Sequence, residues 1–340
     1  TLGAAGNYTG ATTINAGVVD VKDSAALGTT GGATTIASGA AVQIDGSALS
    51  IAEAFTIAGS GVSTGGALRN LANSNTLTGA ITLSNDARIN SDSGTLSITT
   101  GGISGAAHTL SIGGVGNVSV SAAIADASTA LVKDGSGTLT LSGTNTYTGG
   151  TTISAGTLRA QGTASLSGTG TIALNGGTLQ LAQDTAGTYG NAVTVGGSAS
   201  IVSDRVNSGA GVTHTLGTLS LGAYTLTIDK GANVASGTAG ITFSGATSLT
   251  GAAGITTTST GVLTTLTGSV TGTGNALTVG GSGDTTLSGG LNTSTSATLT
   301  KNGSGTLTLG AAGNYTGATT INAGVIKLGA NNAITSSSAL

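Results

Sequence analysis

Residues Thr1 to Val18, TLGAAGNYTGATTINAGV, recur without change from Thr308 to Val325, an offset of 307 residues. Self-similarity on that scale restricts the chain to architectures built by repetition, in which each unit is stabilised by the units beside it. Beyond the identical stretch the copies drift, VDVKDSAAL against IKLGANNAI, keeping apolar positions and exchanging polar ones. The 340 residues therefore read as a window slightly longer than one unit of a tandem repeat. A diverged copy lies inside the unit: residues 131–160, LVKDGSGTLTLSGTNTYTGGTTISAGTLRA, match residues 298–328, TLTKNGSGTLTLGAAGNYTGATTINAGVIKL. The match places Gly135 with Gly303, Leu139 with Leu307, Tyr147 with Tyr315 and Gly156 with Gly324.

A shorter rhythm runs beneath these copies. The tripeptide Gly-Thr-Leu begins at Gly94, Gly137, Gly156, Gly177, Gly217 and Gly305, with gaps of 43, 19, 21, 40 and 88 residues. These gaps read as two, one, one, two and four units of about 19 to 22 residues, the length of one solenoid turn. A turn of that size holds two or three short strands, and its corners need residues that tolerate positive φ. Gly6-Asn7, Asn175-Gly176-Gly177, Gly317 and Gly324 stand where such corners fall.

Alternation supports strands. In Thr138-Leu139-Thr140-Leu141 the leucines face in and the threonines out, a period of two that repeats almost everywhere. The chain has no Pro, so every backbone N–H is free to pair, and its 6% of charged residues is too low for a solvated disordered tail. The expected fold is all-β, a right-handed parallel β-helix (β-solenoid) over residues 1–340 as one continuous segment. At about 20–22 residues per turn it would make about 15 turns and a rod of about 70 to 75 Å.

Residues 131–160 resemble the passenger-associated transport repeat of bacterial autotransporters. Lys133, Gly135, Gly137, Thr138, Leu139, Leu141, Gly143, Asn145, Tyr147, Gly149, Thr151, Ile153, Gly156 and Leu158 occupy its signature positions. A second copy at residues 298–328 carries Lys301, Gly303, Gly305, Asn314, Tyr315, Gly317, Ile321 and Gly324, and a truncated copy opens the chain at residues 1–21. These copies span about a quarter of the sequence; elsewhere, as in residues 65–98, the chain is similar to β-helical passengers in general. The resemblance implies a right-handed parallel β-helix displayed outside a diderm bacterium, with the repeat assisting secretion and folding, and it implies no particular activity.

Residue chemistry narrows the functional classes. The nine Lys and Arg are scattered through a chain of net charge −3, which argues against a nucleic-acid surface. Without cysteine there is no disulfide, thiol nucleophile or thiolate site. No apolar run reaches the roughly 18 residues that span a bilayer, so this segment is not expected to insert in a membrane. Because residue 1 is Thr, the sequence reads as a fragment or mature piece whose targeting segments lie elsewhere.

Candidate sites are each matched by a plainer reading. His108 and His214, both in His-Thr-Leu, are a metal pair or a polar strand position repeated with the solenoid. Asp86, Arg88 and Asp92, and Asp20, Lys22 and Asp23, are catalytic carboxylate clusters or solvated outer-face charges. Gly280-Gly281-Ser282-Gly283-Asp284 approaches a calcium-binding nonapeptide but is one residue short. Tyr8, Tyr147 and Tyr315 recur at one motif position, which favours packing over ligand binding. No catalytic, cofactor-binding or metal residue is assigned, and no cofactor is expected.

Three functions remain: a non-catalytic extracellular stalk, structural or adhesive, at the bacterial cell surface; a self-assembling filament, sheath or layer subunit; and, less favoured, a β-helical glycan-degrading enzyme. The expected partners are neighbouring copies of the repeat, through lateral or end-to-end association, and a host or cell-surface ligand whose identity the sequence does not give.

Overall fold

A computed structural model describes residues 1–335 apart from 106, 126–128, 167, 169 and 295. Among the described residues the elements are short β-strands and two 3-10 turns, Val62–Thr64 and Thr163–Leu166. They form two compact units, Thr1–Gly170 and Thr171–Leu340, each a parallel β-solenoid.

In the first unit the strands stack in three columns. One runs through Thr12–Ile14, Thr34–Ile36, Phe55–Gly59, the start of Ile81–Ser91, and Ile103–Ser104. The second runs through Gly17–Val21, Ala40–Ile44, Leu68–Asn70, the end of Ile81–Ser91, Thr109–Gly113, Ala130–Lys133 and Thr151–Ile153. The third comprises Ser50–Ile51, Ser74–Leu77, Thr95–Ile98, Asn117–Val120, Thr138–Leu141 and Thr157–Gln161. The second unit repeats the plan, with columns beginning at Ile172–Leu174, Thr178–Ala182 and Gly187–Thr188.

The period-two pattern dictates what each column buries. Leu77, Ile98, Val120, Leu141 and Ala160 lie in one inward register in the first unit, all buried. Leu266, Leu287 and Leu309 do the same in the second. Their partners outward are hydroxyls: Thr188, Thr215, Thr242, Thr265, Thr286 and Thr308 pair rung by rung along the third column of the second unit. One turn of such a sheet leaves its aliphatic face bare, so each rung is stabilised by the burial it shares with the rungs above and below, at about 25 cal/mol per Å² of apolar surface.

Turn length varies more than the repeat spacing suggests. Paired residues stand 19 apart between Thr138 and Thr157 but 29 apart between Thr225 and Gly254. The surplus leaves the core through the corners, where it does not disturb the inward register. In the first unit the 26-residue step from Phe55 to Ile81 contains the 3-10 turn at Val62–Thr64. In the second, Gly209–Ala210 pairs with Val234–Ser236 as a small sheet of its own outside the three columns.

The Gly-Thr-Leu rhythm is corrected accordingly. Within the second unit Leu179 lies in the second column, Leu219 in the first and Leu307 in the third. The gaps of 40 and 88 residues are thus not whole turns, because the same glycine-then-strand chemistry serves a corner leading into any column.

Candidate functional site

The transport-repeat-like motif organises one corner in the same way in both units. Lys133 occupies an inward position, between Ile112 and Ile153 in the second column of the first unit. It is 2% exposed. Its Nζ donates to the carbonyl oxygens of Asp134 at 2.6 Å and Gly135 at 2.8 Å, and to that of Ala155 in the following turn at 3.2 Å. Lys301 repeats the arrangement between Val279 and Ile321, donating to Asn302 at 2.8 Å and Gly303 at 2.7 Å. Burial pulls the Lys133 ammonium down to about 8, against the charge of Asp134, while Arg88 adds to the fall. Burial lowers Lys301 as well, opposed by Asp284.

Glycine is obligatory where the next turn crosses these ammonium groups. A Cβ on Gly156 would lie 2.4 Å from the Gly135 oxygen and 2.8 Å from Lys133 Nζ; on Gly324 it would lie 2.4 Å from the Gly303 oxygen and 2.9 Å from Lys301 Nζ. Further along the motif Tyr147 and Tyr315 are buried, and their hydroxyls meet Thr151 Oγ1 at 2.8 Å and Thr319 Oγ1 at 2.7 Å. Burial raises the Tyr147 phenol to about 12. Tyr8 differs: it is 40% exposed, and Thr12 Oγ1 is 3.4 Å from its oxygen. Asn145 Oδ1 accepts from the Ile124 N–H at 2.8 Å, while its Nδ2 donates to Ser165 O at 2.7 Å, joining successive turns.

The carboxylates singled out in the sequence do not converge. Asp92 accepts from Arg69 Nε and Nη2 at 2.9 and 2.6 Å, whereas Arg88 pairs with Asp134 at 2.7 and 2.8 Å. Asp86 Oδ1 accepts from the Thr109 N–H at 2.7 Å in the adjacent turn. Lys22 bridges to Asp45 at 2.6 Å and approaches Asp20 at 3.9 Å, and Asp23 Oδ1 caps the Ala25 N–H at 2.9 Å. Asp284 Oδ1 takes the Thr306 N–H at 2.8 Å, and Gly281 packs where a Cβ would meet the Thr257 carbonyl. Among the described residues no three His, Cys, Asp or Glu side chains gather as a metal site.

The histidines do not share one position. His108 is half-buried ahead of the strand Thr109–Gly113, while His214 is fully buried inside Thr213–Leu216. His214 Nε2 lies 3.0 Å from the Asp204 carbonyl oxygen, and Tyr189 meets its ring edge-on at 5.8 Å. Burial lowers the imidazole pKa, and Asp204 opposes the shift through its carbonyl and its charge.

One buried role, that of Glu53, escaped sequence reasoning. Lys133 and Lys301 were legible as motif positions, and their period-two offset from Leu131 and Leu299 already aimed them inward. Glu53, the single glutamate, is 4% exposed and accepts from Thr34 Oγ1 at 2.8 Å; burial raises its carboxyl, against that hydrogen bond. No period marks it, because it stands between the strands Ser50–Ile51 and Phe55–Gly59.

Aliphatic stacks, corner glycines and lysines caged by carbonyl oxygens define a parallel β-solenoid in which several charged side chains join one turn to another. The passenger-associated-transport-repeat family matches at three places, residues 1–21, 131–160 and 299–328, as in an autotransporter passenger-like repeat protein. That repeat implies a secreted, surface-exposed protein. No curated protein and no solved structure matches the chain. Among the described residues no helix is long and apolar enough to cross a membrane.

Proposed function

We propose that this chain is a non-catalytic extracellular stalk segment of a bacterial surface protein, structural or adhesive in role. The observation that carries the reading is the use made of charge. Arg69, Arg88, Lys22 and Asp284 each bind a group in another turn, and Lys133 is caged beneath the corner of the next turn. Chemistry spent on stacking turns suits a spacer, whereas general acid–base hydrolysis needs two carboxylates facing one bond. The repeat of residues 1–18 at 308–325 supports the same reading, since an array extends by adding identical turns.

Electron cryomicroscopy of the native assembly on cells tests it. Separate rods leaving the envelope are expected. Ordered fibres or sheets would replace the stalk with a self-assembling material. A reducing-end assay against a panel of polysaccharides tests the absence of catalysis, and product released from any of them would overturn it.

A further inference from the structure

Two irregularities of the first unit, a loop and a bulge, lie against each other. The loop after Phe55–Gly59 leaves the solenoid through the 3-10 turn Val62–Thr64, closed by hydrogen bonds from the Gly66 N–H to Ser60 O at 2.8 Å and from the Gly65 N–H to Val62 O at 3.0 Å. Ser63 and Thr64 both adopt positive φ, 50° and 60°, a conformation that costs non-glycine residues on the order of 1 kcal/mol or more each. One turn on, Ile57 pairs with Leu83 but Gly59 with Ala87, so Ser84, Asn85 and Asp86 bulge outward and are exposed. Bulges of this kind re-aim side chains and are enriched beside binding sites.

Between loop and bulge lies a cleft of about 350 Å³, lined by Ser60, Thr64, Asp86, Ala87, Arg88 and Ser111. Its charges decide what fits. The Arg88 guanidinium is already matched by both oxygens of Asp134 and also donates to Asn90 Oδ1 at 3.1 Å, so an anion finds no free cation there. Asp86 is held through Oδ1 by the Thr109 N–H, which leaves Oδ2 to accept. A carboxylate oxygen and three hydroxyls set in a mostly apolar lining suit a ligand that carries hydroxyl groups and an apolar ring face and has no negative charge.

We propose that this cleft binds one hexose or N-acetylhexosamine unit of a neutral glycan, with Asp86 accepting from sugar hydroxyls, Ser60 and Ser111 hydrogen-bonding around the ring, and Thr64 Oγ1, which donates to Ser63 O, accepting from it. The site stands on the loop and the bulge and does not depend on the stalk reading, since the purified chain can be tested alone.

Saturation-transfer NMR of the full chain with methyl α-mannoside, methyl β-galactoside and methyl N-acetyl-β-glucosaminide at millimolar concentration tests it. Transfer to at least one glycoside is expected, lost in Asp86→Ala and in Ser111→Leu, which fills the cleft from an outward position, and kept in Asp184→Ala of the second unit. Asp86→Ala also removes the acceptor of the Thr109 N–H, so Ser111→Leu, which leaves that hydrogen bond in place, keeps the test independent of its loss. Absence of transfer from all three glycosides, or transfer equal in wild type and Ser111→Leu, overturns the proposal.

Discussion

The Nζ of Lys133 lies 3.2 Å from the carbonyl oxygen of Ala155, so a side chain from one turn holds the backbone of the next. Lys133→Met keeps the aliphatic stem in the column and removes the donor, leaving three carbonyl oxygens without it. The expected cost is about 2 to 4 kcal/mol. Hydrogen exchange should show protection falling across residues 133–157, and falling less around residue 301 in Lys301→Met, where two carbonyls lose their partner. Unchanged protection in Lys133→Met would mean that the cage contributes nothing.

The same lysine sets a pH dependence. Its folded pKa of about 8 lies below the ordinary 10.5, so between these values the unfolded chain binds more protons than the folded one. Stability should therefore rise as pH goes from about 8 to 10.5, and this slope should be absent from Lys133→Met. Parallel pH profiles for the two proteins in urea titrations would contradict the assignment.

His214 imposes the opposite boundary, on the acid side. Burial lowers its pKa below 6.5, so as pH falls through that value the unfolded chain takes up the proton first and the second unit loses stability. Thermal unfolding at pH 5 against pH 7.5 should cost the wild type more than His214→Gln. The variant losing as much as the wild type would assign the acid sensitivity elsewhere.

Leu139 is fully buried, and Thr140, one residue on, points to the outer face half-exposed. Leu139→Asp buries an unpaired carboxylate and should destabilise by about 3 to 5 kcal/mol, whereas Thr140→Asp should stay within about 1 kcal/mol. Circular dichroism melts of the two variants make the comparison, and equal shifts would contradict the inward and outward assignment.

Gly156 and Gly162 both have positive φ, 65° and 79°, but a Cβ on Gly162 meets nothing within 4 Å. Gly162→Ala should cost about 1 kcal/mol, the conformational term alone. Gly156→Ala adds contact with two carbonyl oxygens and the Lys133 ammonium, and should cost at least twice as much by urea denaturation.

Much of the fold is legible in particular residues. The alternation at Thr138-Leu139-Thr140-Leu141 already states which side chains are buried, because a strand's faces follow from its period alone. Ile153 and Leu158 read the same way, and both are fully buried. The cluster of Asp86, Arg88 and Asp92 misleads, since proximity in sequence along one strand says nothing about which turn each side chain reaches. Arg88 finds Asp134, 46 residues away, and Asp92 finds Arg69.

By itself the sequence determined that this chain is built of coils of parallel β-strands with an aliphatic interior, since period, glycine corners and exact repetition are all read along the chain. Tertiary structure alone decided what happens between turns: which carbonyl oxygens cage Lys133, where surplus residues leave a corner, and that a loop and a bulge enclose a cleft beside Asp86. Those contacts join residues separated by whole turns of variable length, 19 to 29 residues, and a variable step cannot be counted off along a chain.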